Sequence, residues 1–253
     1  MIMKKKFLIK VGKCLALAIL LAGCTEQGEL DSITEDVHPI LSFTCEAETR
    51  SIVSEFVPGA KIGVSVTKKG TTDAYEDEER NLNICYTLRG ANIWDVSFYT
   101  TLTQSDAYVY GYYPYTSAIN GGKVIMKNGT DYMYTPNPSV INRNHPSAEI
   151  KLAHAMALLH FTFDASLGNV NRVRVRNLPE SATLDIFTGK VTPSPTTAGV
   201  DIQKGDVALS EGLLVVPGNK IDVMVYTDKG NFVWKPEQTA ESGIMYHIKL
   251  SAK

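Results

Sequence analysis

Apolar and polar residues alternate in short stretches along most of the chain. The first clear stretch spans residues 40–47, where Ile40 begins one set of alternate positions. The more apolar set is Leu41, Phe43, Cys45 and Ala47. Successive side chains of a strand point to opposite faces, so a period of two is typical of a half-buried β-strand. The pattern predicts a strand here.

Further short strands are predicted over most of the remaining sequence. They fall at residues 61–67, 84–88, 94–102, 107–115, 173–175, 182–191, 213–216, 221–225, 232–234 and 246–250. Turn-forming pairs such as Pro58-Gly59 and Asn128-Gly129 separate them. Helical patterns do not alternate with these strands, which argues against an α/β sheet. We therefore predict an all-β fold of antiparallel sandwiches.

The sequence of residues 149–164 is compatible with either a helix or a strand. Residues 153–159 would suit one or two helical turns, whereas Leu159, Phe161 and Phe163 alternate with polar residues. We interpret the stretch as a bend that passes into a strand and place a boundary near Ala155. This predicts two antiparallel β-sandwich domains, at residues 38–155 and 156–253.

The chain begins with a predicted secretory signal, residues 1–23. A lysine-rich region without acidic residues precedes nine largely apolar residues, 14–22. A membrane-spanning helix needs about 20 apolar residues, so this segment is too short to be a span. Residues 24–37 then form an acidic stretch with no sustained period, which predicts a solvated tether.

The end of the signal, Leu21-Ala22-Gly23-Cys24, resembles the lipobox that lipoprotein signal peptidase reads. The resemblance implies that Cys24 becomes the first residue of the mature protein and carries acyl chains such as palmitate. The alternative is an ordinary signal peptide in which the cysteine falls at this place by chance.

Charge and cysteine content exclude several classes of protein. The signal holds five of the 25 basic residues, so the mature chain has 20 basic against 27 acidic residues and a net charge near −7. No nucleic-acid partner is therefore expected. Besides Cys14 and Cys24, the chain has Cys45 and Cys85, whose spacing fits no metal or redox motif. They either pair in an oxidising envelope or serve as small buried side chains.

No motif for catalysis, metal binding or cofactor binding stands out. The sequence has no Gly-x-Ser-x-Gly, no phosphate-binding glycine loop and no His-Glu-x-x-His, so no enzyme, metal or cofactor is expected. His154 and His160 are six residues apart, which does not bring them together on a helix or a strand. The tyrosines of residues 108–115 fit buried sheet positions, which we favour, or a sugar-stacking surface.

The order of several short segments resembles the fimbrillin family, the lipoprotein pilins of Bacteroidales that build type V pili. In chain order the matching segments are Leu21-Ala22-Gly23-Cys24, Glu48-Thr49-Arg50, residues 58–64, the tyrosine-rich residues 110–115, residues 152–159 and residues 242–248. These segments are distributed over most of the length of the mature chain.

The resemblance implies two transthyretin-like sandwiches and assembly by strand exchange between pilin subunits. It implies that a trypsin-like protease cuts between Arg50 and Ser51, and that a strand from another subunit fills the groove left by the departing strand. The departing strand would carry Ile40, Leu41, Phe43, Cys45 and Ala47. The implied protein is a fimbrial subunit, lipid-anchored on the surface of the outer membrane, that supports adhesion to host or bacterial surface ligands.

One alternative from another class stays open: a monomeric surface lipoprotein that binds glycan or protein through one sandwich face. A disulfide between Cys45 and Cys85 would fit that alternative, because it would hold the first strand in place after cleavage. The pilus interpretation therefore predicts two free thiols.

Overall fold

The structure, a computed structural model, describes residues 39–47, 55–96, 98–235 and 237–252. These ranges contain eighteen β-strands, one short α-helix and three short 3₁₀ helices. This confirms the prediction of an all-β fold. Within the same ranges no helix is both long and apolar enough to cross a membrane.

The strands are β1 (Ser42–Ala47), β2 (Lys61–Lys68), β3 (Ile84–Gly90), β4 (Ile93–Val96), β5 (Ala107–Tyr113), β6 (Lys123–Lys127), β7 (Met133–Tyr134), β8 (Ser139–Ile141), β9 (Ser147–His154), β10 (Ala157–Phe163), β11 (Val170–Pro179), β12 (Ser181–Asp185), β13 (Val191–Pro193), β14 (Thr197–Gln203), β15 (Leu213–Val215), β16 (Asp222–Thr227), β17 (Gly230–Trp234) and β18 (Met245–Leu250). The helix α1 is Val207–Ser210, and the 3₁₀ helices are Tyr75–Asp77, Glu79–Asn81 and Ala165–Leu167. Between β9 and β10 only Ala155 and Met156 remain, which confirms a bend between strands there.

Eight strands of the first half form one sheet. Its hydrogen-bonded order is β1-β9-β7-β5-β2-β3-β4, and β8 also pairs with β5. These pairings are antiparallel except that of β1 with β9, which is parallel. A tight hairpin cannot join two parallel strands, and here β2 to β8 lie between them in the chain.

This sheet folds over so that its two ends meet. Phe43 of β1 lies against Trp94 of β4, with ring centroids 6.1 Å apart, although the two strands are at opposite ends of the pairing order. The enclosed core consists of buried aliphatic and aromatic side chains, among them Ile62, Val64, Val66, Val109, Ile150 and Leu152. The first half is therefore a sandwich whose two layers belong to one curled sheet.

Two smaller sheets form the sandwich of the second half. Their strand orders are β15-β10-β18 and β14-β11-β16-β17. Side chains of both sheets share one core, with Leu159 and Phe161 on β10 and Val173 and Val175 on β11. The β10–β18 pairing is parallel, whereas the pairings within the four-stranded sheet are antiparallel.

A third small sheet, β13-β12-β6, combines strands from both halves of the chain. β6 runs antiparallel to β12, and the buried side chains around it form what we call the junction cluster. Its members are Tyr112, Val124, Met126, Ala155, Met156, Leu158, Ala182, Leu184, Ile186, Leu214 and Val216. Residues from both sides of the predicted boundary therefore share a core, and His38–Lys253 form one compact unit. The division at residue 155 stays a prediction.

Packing around Tyr112 requires a glycine on the neighbouring strand. A Cβ atom on Gly63 would lie 1.9 Å from the Tyr112 ring, so a side chain there would displace the ring. The Tyr112 hydroxyl donates to Asn83 Oδ1 at 2.6 Å. Burial raises the pKa of Tyr112 to about 12, so the hydroxyl stays protonated at neutral pH and keeps its donor role.

Met126→Ala is expected to lower the free energy of unfolding by about 2–5 kcal/mol, because it leaves a cavity in the junction cluster. Ile125→Ala is the matched control: Ile125 is the adjacent residue of the same strand and is 55% exposed. Its effect should stay below about 1 kcal/mol. Urea unfolding of both variants measures the difference. Equal effects would mean that the junction cluster does not contribute as described.

Candidate assembly site at the first strand

Strand β1 occupies the edge of the eight-stranded sheet. It pairs in parallel with β9, from Ser42 opposite Ser147 to Ala47 opposite Leu152. The Ser42 and Ser147 hydroxyl groups are 2.9 Å apart. The residues just before β1 bond elsewhere: the Leu41 backbone N–H donates to the carbonyl oxygen of Thr100 at 3.0 Å. The segment is therefore held by backbone hydrogen bonds on both sides at its start and by β9 along its length.

The alternate side chains of this strand face the core of the first sandwich. Leu41 and Cys45 are buried, 4% and 3% exposed. Phe43 is half-buried, and its ring stacks edge-on against Tyr86 with centroids 4.8 Å apart. Ser42, Thr44 and Glu46 point to solvent. The predicted alternation is confirmed, since one face of β1 closes the sandwich and the other is exposed.

A second aromatic side chain, Phe56, packs beside this strand. Its ring centroid is 5.8 Å from that of Trp94 and 5.2 Å from that of Tyr113. Phe56 also lines a cleft of about 380 Å³ at the carboxyl end of β1, together with Cys45, Ala47 and Leu88. The sequence pattern does not identify this residue, because a single aromatic residue in an irregular segment carries no periodic signal.

The two remaining cysteines point to opposite sides of the sheet. Cys45 packs in the same core as Ile84 and Tyr86 of β3, whereas Cys85 lies between those two residues in the chain and so faces the other side. Both are free thiols in the structure. Burial, with a smaller effect of the Glu46 charge, raises the pKa of Cys45 to about 12. Its thiol is therefore protonated and unreactive at neutral pH.

The sequence-predicted site residues fall into two groups. Ile40, Leu41, Phe43, Cys45 and Ala47 lie in or next to β1, as described above. Ile40 is exposed and forms an isolated bridge with Thr101. Cys24, Arg50 and Ser51 lie outside the described residues.

The other candidate groups are structural in character. Tyr110 and Tyr112 are buried, and the Tyr110 ring packs edge-on against Phe187 with centroids 5.0 Å apart. His154 contacts Asp131, with Nδ1 and Oδ1 3.0 Å apart and both side chains buried. Neither arrangement presents an exposed ligand-binding surface.

Comparison with known proteins gives the same architecture. A family model described as fimbrillin-like matches residues 49–253. A protein from Bacteroides uniformis, named as a candidate cell adhesion protein, superimposes with a TM-score of 0.64 at 16% identity, over 84% of this chain and 94% of the other. One from Bacteroides ovatus gives 0.60 at 18% identity, over 85% and 92%.

A fimbrial assembly protein from Parabacteroides distasonis superimposes with a TM-score of 0.51 at 11% identity, over 84% of this chain and 91% of the other. No curated protein sequence matches the chain. At these identities the solved structures establish the fold alone. The family model covers most of the chain, however, and it confirms the resemblance drawn from the short sequence segments: the chain belongs to the fimbrillin-like family.

Proposed function

We propose that the protein is a structural subunit of a surface fimbria that assembles by exchange of its first strand. Membership of the fimbrillin-like family supports the subunit role and a non-enzymatic function. In this proposal cleavage after Arg50 frees β1, and an extended segment of a second pilin subunit replaces it. The observation that carries the proposal is the position of β1: an edge strand whose apolar face closes a core.

An edge strand can leave without breaking the rest of its sheet. Strand β9 also pairs with β7 and would keep that pairing without β1. The Ser139 hydroxyl donates to the Glu149 carbonyl oxygen at 2.7 Å, and this bond does not involve β1. The other strands of the curled sheet pair only among themselves and with β9 among the described residues. Loss of β1 would therefore open a groove in an otherwise intact sandwich.

The open groove would favour a replacement strand. Departure of Leu41 and Phe43 uncovers apolar surface beneath them, and burial of two large side chains contributes roughly 3–6 kcal/mol. A strand added at an edge gains affinity from main-chain hydrogen bonds and specificity from alternate side chains. The incoming segment would need apolar residues at the positions of Leu41, Phe43 and Cys45.

The extent of the family match agrees with this division of the chain. The match begins at residue 49, just after β1 and next to Arg50. It therefore covers the part that would remain after cleavage at Arg50. Phe56 also belongs to the part that would remain. Since Trp94 contacts both Phe43 and Phe56, Phe56 and Trp94 would line the groove when Phe43 leaves.

The proposal includes export as a lipoprotein. Cys24 would carry the acyl chains that anchor the protein in the outer membrane, with the folded part on the cell surface. A trypsin-like protease would act there, and the fimbria would support adhesion to host or bacterial surface ligands.

A cleft in the second half favours one alternative function, a monomeric surface lipoprotein that binds a ligand. The cleft has a volume of about 150 Å³ and lies beside β18, lined by Leu159, Ile221, Trp234 and Tyr246. Electron microscopy of native cells with and without the gene separates the two functions. Loss of filaments on deletion supports the fimbrial subunit, whereas unchanged filaments support the monomeric lipoprotein.

Cleavage at Arg50 should be required for polymerisation. Trypsin treatment of the folded protein is expected to remove β1 from the wild type and to yield ladders on gel electrophoresis and filaments in electron micrographs. Arg50→Ala should block both. Arg80→Ala is the matched control, because Arg80 lies in an exposed segment between β2 and β3 and should not affect assembly. Polymers from Arg50→Ala protein that keeps β1 would contradict the proposal.

Cys24→Ser should release the protein from the outer membrane or stop its processing. Two acyl chains give stable anchoring, whereas one chain holds only marginally. Cell fractionation and mass spectrometry of the isolated protein measure the effect. If the variant stays with the outer membrane and its mass matches that of the processed wild type, Cys24 is not the lipidation site.

Cys45 should react with iodoacetamide only when β1 leaves the core. In the intact folded protein its buried thiol is expected to stay unmodified, and proteolytic release of β1 should expose it to alkylation. Cys45→Ala and Cys85→Ala should each still polymerise. Intact-mass analysis before protease treatment provides the check, and a stoichiometric disulfide between the two residues would exclude strand exchange through β1.

A further inference from the structure

The parallel pairing of β10 with β18 places two histidines side by side. His160 is the direct register partner of His247, although 86 residues separate them in the chain. Partners at the same level of neighbouring strands point to the same face of the sheet. The two rings are in contact, with centroids 5.5 Å apart and planes inclined at 62°.

Both histidines lie on the outer face of the three-stranded sheet. The core-facing partners in this register are Phe161 opposite Ile248, which are buried. His160 is half-buried and His247 is exposed. The Nδ1 atom of His160 is buried and has no hydrogen-bond partner among the described residues. The pair thus combines one solvent-accessible imidazole with one whose ring nitrogen is unsatisfied.

We propose that His160 and His247 form a two-histidine site for a divalent transition-metal ion of the Zn²⁺ or Cu²⁺ type, and that the bound ion ties β18 to β10. Neutral imidazole is a preferred ligand of these ions, whereas Mg²⁺ and Ca²⁺ prefer oxygen ligands. The described residues contain no group of three or more His, Cys, Asp or Glu side chains placed to hold a metal. Water therefore completes the coordination at the exposed face.

A lysine beside the pair interacts with a nearby carboxylate. On the same face the next register partners are Thr162 and Lys249, and the Lys249 charge disfavours a cation. Hydrogen bonds from Ser166 lower the pKa of the Asp164 carboxyl group, and the Lys249 charge adds a smaller lowering.

A metal ion at this place would connect the last strand of the chain to the middle of the sequence. Strand β18 is an edge strand that pairs with β10 in the three-stranded sheet. A ligand that binds only the folded arrangement stabilises it by mass action. Binding should also weaken on acidification, because an imidazole must lose its proton before it coordinates a metal.

The test titrates Zn²⁺ and, separately, Cu²⁺ into the untagged folded protein. Calorimetry is expected to show one equivalent of bound metal, and thermal unfolding a Tm that rises to saturation with metal concentration. The electron paramagnetic resonance spectrum of bound Cu²⁺ should show two coordinated imidazole nitrogens. Mg²⁺ should give no response, and lowering the pH should abolish binding.

Variants at exposed positions keep the test independent of folding. His247→Gln should bind at least about tenfold more weakly, a loss of about 1.4 kcal/mol or more, and should show one imidazole nitrogen. His145→Gln is the matched control, because His145 is an exposed histidine that lies on neither β10 nor β18. Unchanged affinity in His247→Gln, or an equal loss in His145→Gln, would overturn the proposal.

Discussion

The contact of Phe43 with Tyr86 and Trp94 closes the first sandwich. These residues come from the two ends of one sheet, so the contact exists only because the sheet folds over, and it keeps the fold closed. Burial of Leu41 and Cys45 beside Phe43 extends the seal along β1. This seal is formed by β1, the first described strand of the sheet. The first half thus depends on a strand whose removal leaves every other pairing of the sheet in place.

The junction cluster is physically separate from that seal. None of its members lies on β1, and Tyr112 faces it from the side of β5 opposite to Val109, which belongs to the first core. The eight-stranded sheet is therefore buried on both faces around β5. A change at β1 alters the packing of one face only, while the contacts that hold the two halves together remain. This arrangement fits the proposed exchange of β1, because the junction cluster would stay packed.

Local patterns predicted the strands but not their partners. The alternation of Leu41, Phe43 and Cys45 was sufficient to predict β1 and its buried face, and Leu159 and Phe161 revealed the strand after the bend at Ala155. The parallel pairings of β1 and β18, and the pairing of β6 with β12, could not be predicted, because periodicity within a strand contains no information about which distant strand lies beside it. The same limit hid the approach of His160 to His247. Residues 24, 50 and 51 were identified by resemblance to a family, and the structure does not describe them.

The first and last described strands are placed alike. The first strand pairs in parallel with β9 and the last strand pairs in parallel with β10, and β9 and β10 are separated only by Ala155 and Met156. Both strands lie at an edge of their sheets. They differ in their outward faces: β1 presents Ser42, Thr44 and Glu46, whereas β18 presents His247 opposite His160. Only the second of these faces offers two imidazoles to a metal ion. A metal bound there would strengthen β18 and leave β1 as the weaker edge, which fits the proposed exchange of β1.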